Sequence, residues 1–166
     1  MTGNNLQAAA YWTERLELLP HPEGGYYKEV FRSSQEVVRK SSTAIKQACT
    51  SIYYLLEGND FSGFHRLASD EIWYFHKGAP LLIHIIDEQG VYTTKELSDT
   101  LSGSLSVVIE AGLWFAAEIP SAQEFTLVSC AVAPGFDFTE FEMAKKDELI
   151  ELYPQHRDIL SRLCRI

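Results

Sequence analysis

The sequence has little basic charge and no long apolar run. Its 14 Lys and Arg residues stand against 23 Asp and Glu residues, which gives a formal net charge of −9 at pH 7. An excess of negative charge repels phosphate backbones and anionic lipid surfaces, so we expect neither a nucleic acid nor a membrane as a partner. No apolar run approaches the ~20 residues that span a bilayer.

Cysteine is also scarce. Cys49, Cys130 and Cys164 are odd in number, far apart in the chain and outside any Cys-x-x-Cys spacing. Apolar neighbours predict buried, reduced thiols at these positions, in preference to a disulfide framework or a metal site. The first residues carry no positive charge and no apolar block follows them, so we expect no secretory signal and a cytoplasmic protein.

What is present is an ordinary globular composition. Of the 166 residues, 46% are hydrophobic and 22% are charged, which fits one domain over residues 1–166. Turn residues separate short β-rich segments at the spacing of an all-β sandwich or barrel, with a helix at either end. The predicted helices are 5–18, 148–152 and 155–164, the predicted strands are 26–32, 48–56, 62–67, 71–76, 81–86, 91–96, 105–109, 112–118 and 125–133, and residues 32–47 are a polar loop or hairpin.

One stretch contains residues suited to chemistry. Strand alternation places Glu71, Trp73 and Phe75 on one face of their strand. If a tight turn at residues 68–70 pairs this strand with the preceding one, His65 lies near Glu71 on a common wall. An imidazole beside a carboxylate forms either a metal-binding pair or an acid–base pair, and the aromatic side chains beside it would line an apolar pocket.

This stretch resembles the first motif of the cupin superfamily, Gly-x5-His-x-His-x3–4-Glu-x6-Gly. His65, Glu71 and Gly78 match the first histidine, the glutamate and the closing glycine. Leu67 stands where the second histidine is usual, and Asn59 stands where the opening glycine is usual. The resemblance therefore retains one histidine and one carboxylate of the family's ligand set.

The second cupin motif, Pro-x-Gly-x2-His-x3-Asn, is similar to residues 110–115. Gly112 is retained, whereas Glu110 replaces the proline and Phe115 stands where a fourth ligand would be. Two protein ligands hold a divalent ion weakly, so the resemblance implies a site without a metal or another cofactor. A two-ligand metal site completed by water stays open as an alternative.

Five blocks of the sequence, in order, resemble the cupin-5 family, which comprises small cupin-like domains of unknown function. The similarity runs over about residues 16–160 and implies a mainly β fold, the double-stranded β-helix or jelly roll. It also implies a homodimer, like that of deoxysugar epimerases. The blocks are PHPEGGYY at 20–27, TSIYYLL at 50–56, SDEIW at 69–73, WFAAE at 114–118 and VAPGFDF at 132–138.

The first functional hypothesis is a metal-independent sugar epimerase or isomerase. Such an enzyme removes a proton next to a carbonyl and returns it, which requires a base, an acid and a donor to the enolate oxygen. We predict His65 as the base, tuned by Glu71, with Tyr53 or Tyr74 as the acid. Arg66 would contact a phosphate or the enolate.

The second hypothesis is a module that binds a small polar ligand, carbohydrate or nucleotide-like, without transforming it. Each residue also has a purely structural explanation: the pair as a structural hydrogen bond, the aromatic residues as core, and Arg66 as part of a solvated face. The loop at residues 21–25 either closes over the cavity or only connects the first helix to the sheet. The predicted ligand-binding residues are Tyr53, Arg66, Trp73, Phe75 and Phe115.

Overall fold

The computed structural model describes residues 8–40 and 42–166. Strands dominate this part of the chain, as the alternating sequence pattern predicts. The helices are α1 (Ala9–Leu16), α2 (Lys146–Leu152) and α3 (Arg157–Leu163), and the strands are β1 (Leu19–Pro20), β2 (Tyr26–Arg32), β3 (Glu36–Val38), β4 (Ile45–Gln47), β5 (Thr50–Glu57), β6 (Phe61–Leu67), β7 (Asp70–Gly78), β8 (Leu81–Ile86), β9 (Tyr92–Leu97), β10 (Ser106–Ile109), β11 (Trp114–Glu118), β12 (Phe125–Ala133) and β13 (Phe141–Met143).

Two antiparallel sheets form the framework. The six-stranded sheet has the order β1-β2-β5-β12-β7-β10, and the five-stranded sheet has the order β13-β6-β11-β8-β9. From β5 to β13 the chain crosses between the two sheets at every step except β8–β9, which is the connectivity of a double-stranded β-helix. The predicted jelly roll is therefore confirmed, and the segment predicted as a polar loop or hairpin forms the separate β3–β4 hairpin.

Apolar side chains fill three layers. The main core lies between the sheets and includes Trp73, Ile83 and Phe115. A second cluster packs α2 and α3 against the five-stranded sheet, and a third packs α1 against the other sheet. Alternation along each strand sends one set of side chains into the core and the other set toward the helices or solvent.

The terminal helices agree with the predictions in place but differ in their bounds. Residues 5–7 of the first predicted helix lie outside the described residues, and α1 ends at Leu16. Helix α2 begins at Lys146, with no side-chain cap from Asp147. Pro154 begins a short 3-10 turn that leads into α3. In the described chain, no helix has the length and apolar character needed to cross a membrane.

One local expectation is wrong, because residues 68–70 do not join a hairpin. Strand β6 pairs with β11 and β13, whereas β7 pairs with β10 and β12 in the opposite sheet. The turn carries the chain across a corner of the jelly roll. His65 and Glu71 consequently belong to facing sheets.

Candidate functional site

A cavity of about 350 Å³ lies between the two sheets. Both sheets contribute to its wall, as do the loop at residues 21–25 and the segment after β12. Its buried polar lining includes Glu23, His65 and Glu71, and its more exposed part contains aromatic side chains. The cavity thus joins a buried ionisable cluster to a partly apolar opening, an arrangement typical of small-molecule sites.

His65 contacts Glu23 at the buried end of the cavity. Its Nε2 atom lies 3.0 Å from Oε2 of Glu23, and both side chains are at least nine-tenths buried. Its Nδ1 atom lies 2.7 Å from the carbonyl oxygen of Gly63. A carbonyl oxygen can only accept, so Nδ1 carries a proton and donates it to Gly63.

This tautomer determines the state of the pair. In a neutral His65, Nε2 is an acceptor, so the bond to Glu23 requires a proton on that carboxyl group. Burial lowers the pKa of His65 to about 4. Burial also raises the pKa of Glu23, against smaller opposite effects of nearby groups such as His21 and Arg165. Both shifts favour a neutral pair that holds one proton between carboxyl and imidazole.

Glu71 provides a second buried carboxyl group. Burial, together with a smaller effect of the neighbouring Glu23, raises its pKa to about 8. Glu71 therefore carries a proton at neutral pH. Among the described residues, its Oε2 atom has no hydrogen-bond partner. A buried polar atom without a partner costs free energy, and the Glu71 side chain that carries it lines the cavity.

The exposed part of the cavity has one fixed cation, Arg32, among the lining residues that the structure describes. Its guanidinium group donates to both carboxylate oxygens of Glu29, to Gln47 and to the carbonyl oxygen of Phe136. These partners occupy its donors. Aromatic side chains complete this part of the wall and come from Tyr27, Phe136, Phe138 and Phe141.

Two of the predicted ligand-binding residues lie outside the cavity. Tyr53 packs against the α1 cluster on the outer face of its sheet. Arg66 points away from the cavity, where it bonds Glu142 and lies over the Trp114 ring. The physical reason is strand alternation, because Tyr53 and Arg66 are sequence neighbours of the inward-facing Tyr54 and His65. Tyr74, the alternative acid, is an exposed side chain.

The three remaining aromatic candidates belong to the core rather than to the cavity lining. Trp73 is fully buried and Phe75 packs against the same cluster. Phe115 lies next to the site, with its ring centroid 4.1 Å from that of His65. The Phe115 ring therefore packs against the imidazole of His65. Of the seven predicted site residues, His65 and Glu71 line the cavity, but they do not form the predicted pair.

Sequence reasoning missed Glu23 as the partner of His65. The two residues are far apart in the sequence, and Glu23 belongs to a loop rather than to a strand. A usable signal was present, because Glu23 is the ionisable residue between Pro22 and Gly24 in a block that resembles the family. Gly24 and Gly25 have positive φ values of 111° and 70°, which turn the loop over the cavity.

Comparisons with known proteins agree with this geometry. The family model described as "Cupin superfamily (DUF985)" matches residues 10–144. An uncharacterized protein of Saccharomyces cerevisiae, YML079W, is 30% identical over 151 residues, which cover 82% of this chain and 75% of that protein. The chain therefore belongs to the DUF985 family of the cupin superfamily.

The chain is also similar to solved structures. A hypothetical protein from Leishmania major is 36% identical, with a TM-score of 0.89 over 95% of this chain and 98% of that one. Protein SO0799 from Shewanella oneidensis is 37% identical, with a TM-score of 0.88 over 96% and 98%. Oxalate decarboxylase from Bacillus subtilis is 16% identical, with a TM-score of 0.55 over 87% of this chain and 36% of its own. The last likeness concerns the fold alone.

Oxalate decarboxylase from Bacillus subtilis, which shares the fold, is described as having Mn(II) centres. The donors of this chain do not fit such a centre. In the part of the chain that the structure describes, no group of three or more His, Cys, Asp and Glu residues is placed to hold a metal ion. Leu67 lines the cavity with hydrocarbon, and Phe115 packs its ring against His65.

Proposed function

We propose that this protein transfers a proton on a small, uncharged polar molecule held in the cavity, as a metal-independent sugar epimerase or isomerase does. The observation that carries the proposal is the contact of 3.0 Å between His65 and Glu23 inside an accessible cavity. A buried pair that holds one proton can both accept and return a proton, which the reaction requires.

The proposed proton transfer uses the groups as follows. Glu23 takes a proton from the carbon next to the substrate carbonyl while its own proton passes to Nε2 of His65. Glu71, which is protonated at neutral pH because burial raises its pKa to about 8, donates its proton to the developing oxyanion. His65 then carries one positive charge and Glu71 one negative charge. In the second half of an isomerisation, Glu23 gives its proton to the adjacent carbon while His65 returns a proton to Glu23, and Glu71 takes a proton from the other hydroxyl of the enediol. All three groups are then restored and the isomer is released.

The uncharged character of the substrate follows from the cavity's charges. Arg32, the fixed cation of the described lining, is already bonded to Glu29 and to the carbonyl oxygen of Phe136. A phosphate or carboxylate would meet Glu23 and Glu71 without a free cation to balance it. A free monosaccharide suits these groups better than a nucleotide-like molecule, because its hydroxyls and carbonyl can bond neutral acids.

Hydrogen exchange with solvent tests the proposal. The protein is incubated in D₂O with a panel of uncharged aldoses and ketoses, and deuterium at the carbon next to the carbonyl is followed by NMR. We expect incorporation with the wild type and at least a hundredfold slower incorporation with His65→Ala, because general acid–base groups contribute about 10²–10⁴-fold. His76→Ala is the matched control, since His76 is an exposed histidine at a strand end.

A second candidate function is the binding of such a molecule without turnover. The pKa of His65, lowered by burial to about 4, favours it, because a weakly basic imidazole serves well as a hydrogen-bonding group. Binding without deuterium incorporation, with the ligand recovered unchanged by mass spectrometry, would support this function. It would also contradict the proton-transfer proposal.

We also propose a second copy of this chain as a partner. Strand β2 pairs with the short β1 only at Tyr26 and Tyr27, so its outer edge beyond these residues faces no strand of the described chain. Val30 and Phe31 are about half exposed there, and an unpaired apolar edge favours strand pairing between chains. We expect a dimer in sedimentation experiments, and Phe31→Glu to shift it toward monomer. A wild-type monomer would contradict the proposal.

We also propose a cytoplasmic location for this protein. Cys49, Cys130 and Cys164 are all free thiols, two of them buried. Free thiols persist in reducing compartments. Cell fractionation measures the location directly, and recovery outside the cytoplasmic fraction would contradict it.

A further inference from the structure

Arg165 contacts the loop that carries Glu23, although 142 residues separate the two in the sequence. Its Nε atom donates to the carbonyl oxygen of Glu23. Its Nη2 atom donates to Asp60 and to the carbonyl oxygen of Phe61. The guanidinium carbon also lies 4.2 Å from the centroid of the Phe61 ring. Arg165 thus joins the Glu23 loop to the start of β6, the strand that carries His65.

Further contacts fix the same loop. Asp60 accepts a hydrogen bond from the backbone N–H of Gly25 at 2.8 Å. The N–H of Gly63 donates to the carbonyl oxygen of Glu23, also at 2.8 Å. The carbonyl of Gly63 in turn accepts from Nδ1 of His65. One short piece of backbone therefore connects the Arg165 contacts to both members of the His65–Glu23 pair.

Two glycines leave space for the Arg165 side chain. A Cβ atom at Gly24 would overlap its guanidinium group, and a Cβ at Gly63 would lie 2.8 Å from its Cγ atom. Gly24 also has a φ of 111°, a conformation that L side chains rarely adopt. The local sequence thus accommodates an arginine at this place, behind the cavity wall.

We infer that Arg165 is a positioning residue that holds the Glu23 loop so that the Glu23 carboxyl group meets Nε2 of His65. The planar guanidinium group suits this role because it presents several donors in a fixed geometry to two different segments. Lysine cannot bond both segments in the same way. The inference rests on the proposed function for its catalytic meaning, but the geometry it concerns can be measured without a substrate.

The charge of Arg165 has a second effect on the same group. It lowers the pKa of Glu23, against the larger effect of burial. Other groups also bear on Glu23 from each element packed around it. They are His21 on its own loop, Tyr54 on β5, Ser62 and His65 on β6, and Glu71 on β7. Arg165→Lys keeps the positive charge and removes the planar guanidinium group. This variant therefore separates the effect of the charge from the effect of the hydrogen bonds to two segments.

The test is the ¹⁵N chemical shift of Nε2 of His65 in isotopically labelled protein at neutral pH. Glu23→Ala gives the shift of Nε2 without its partner. We expect Arg165→Ala and Arg165→Lys each to move the shift at least halfway from the wild-type value to that reference. The double variant E23A/R165A should equal E23A, because the effect of Arg165 is transmitted through Glu23.

Arg162→Ala is the matched control, because Arg162 is three residues earlier and bonds Glu118 instead. We expect its Nε2 shift to match the wild type. A wild-type shift in Arg165→Lys, or an equal change in Arg162→Ala, would overturn the inference. If Arg165→Ala does not fold, Arg165→Lys alone decides. Absence of sugar turnover in the wild type would leave this result intact and count against the proposed function only.

Discussion

Two histidine–glutamate pairs of equal length occur in this molecule and behave differently. His65 lies 3.0 Å from Glu23 at the cavity, and His84 lies 3.0 Å from Glu118 on the five-stranded sheet. Both histidines are almost fully buried. Glu118, however, also accepts hydrogen bonds from both terminal nitrogens of Arg162.

The cation accounts for the difference. Burial alone would raise the pKa of Glu118, but the hydrogen bonds and charge of Arg162, with His84, lower it below its ordinary value. No comparable cation bonds the Glu23 carboxyl group in the described chain, and burial raises the pKa of Glu23. The same two residue types therefore form a structural ion-pair network at one place and a proton-sharing pair at the other.

The largest expected effect concerns the pH dependence of stability. Glu71 has an ordinary pKa of 4.5 that burial raises to about 8 in the folded protein. Between these values the folded state binds more protons than the unfolded state, so the stability of the wild type falls as pH rises. Glu71→Gln removes this loss. We expect its stability relative to wild type to rise by about 1 kcal/mol per pH unit across that range, measured by urea unfolding.

We expect the opposite dependence of stability on pH at the His84–Glu118 pair, which Arg162 bonds. The pKa of Glu118 is lowered, so its contribution is present above the ordinary pKa and lost as pH falls through the lowered value. Glu118→Gln should therefore differ from wild type most at neutral pH and least in acid. Parallel pH profiles for Glu71→Gln and Glu118→Gln would contradict the comparison.

A smaller effect is expected for Glu118→Gln at neutral pH itself. The substitution removes the charge that accepts from His84 and Arg162, while the shape of the side chain is kept. We expect a loss of about 2 kcal/mol in the free energy of unfolding, the usual size for hydrogen bonds to charged groups. Thermal and urea unfolding would both measure it, and a loss below the error of the method would mean that solvent already screens the pair.

The smallest effect is expected for the matching substitution Glu23→Gln. A carboxamide is neutral and can donate to Nε2 of His65, as the protonated carboxyl group does. We expect stability to change by less than about 1 kcal/mol, within the range of one neutral hydrogen bond. Deuterium incorporation into the sugar should nevertheless be lost, because a carboxamide cannot pass a proton on. A large loss of stability would show that Glu23 is ionised.

Much of the fold could be predicted from the sequence, because alternation and turn residues act locally. The predicted strands 81–86 and 125–133 coincide with β8 and β12. The pairing of strands could not be obtained in this way. Residues 68–70 favour a turn, but whether the chain returns in one sheet or crosses to the other depends on partners distant in sequence, such as β11 and β12.

The candidate site could likewise be predicted only in part, because alternation acts locally and the remaining contacts join segments that are distant in sequence. His65 and Glu71 were found from their spacing, and both line the cavity. Alternation alone argues against Arg66, which must face away from its neighbour His65. For Tyr53 and Tyr54, alternation leaves two choices, and only the packing of α1 decides which one faces outward. Glu23 depends on a loop conformation that no strand periodicity describes.

The contact between Glu23 and Arg165 also bears on the order of events during synthesis. The ribosome makes the Glu23 loop early, and the residue that holds it follows 142 positions later. A domain generally folds as a unit, so a nascent chain that still lacks Arg165 has not received the contact that fixes this loop. Ribosome-bound chains that end before Arg165 should therefore lack the finished cavity, and the chemistry of the buried acids would wait until Arg165 has left the ribosome.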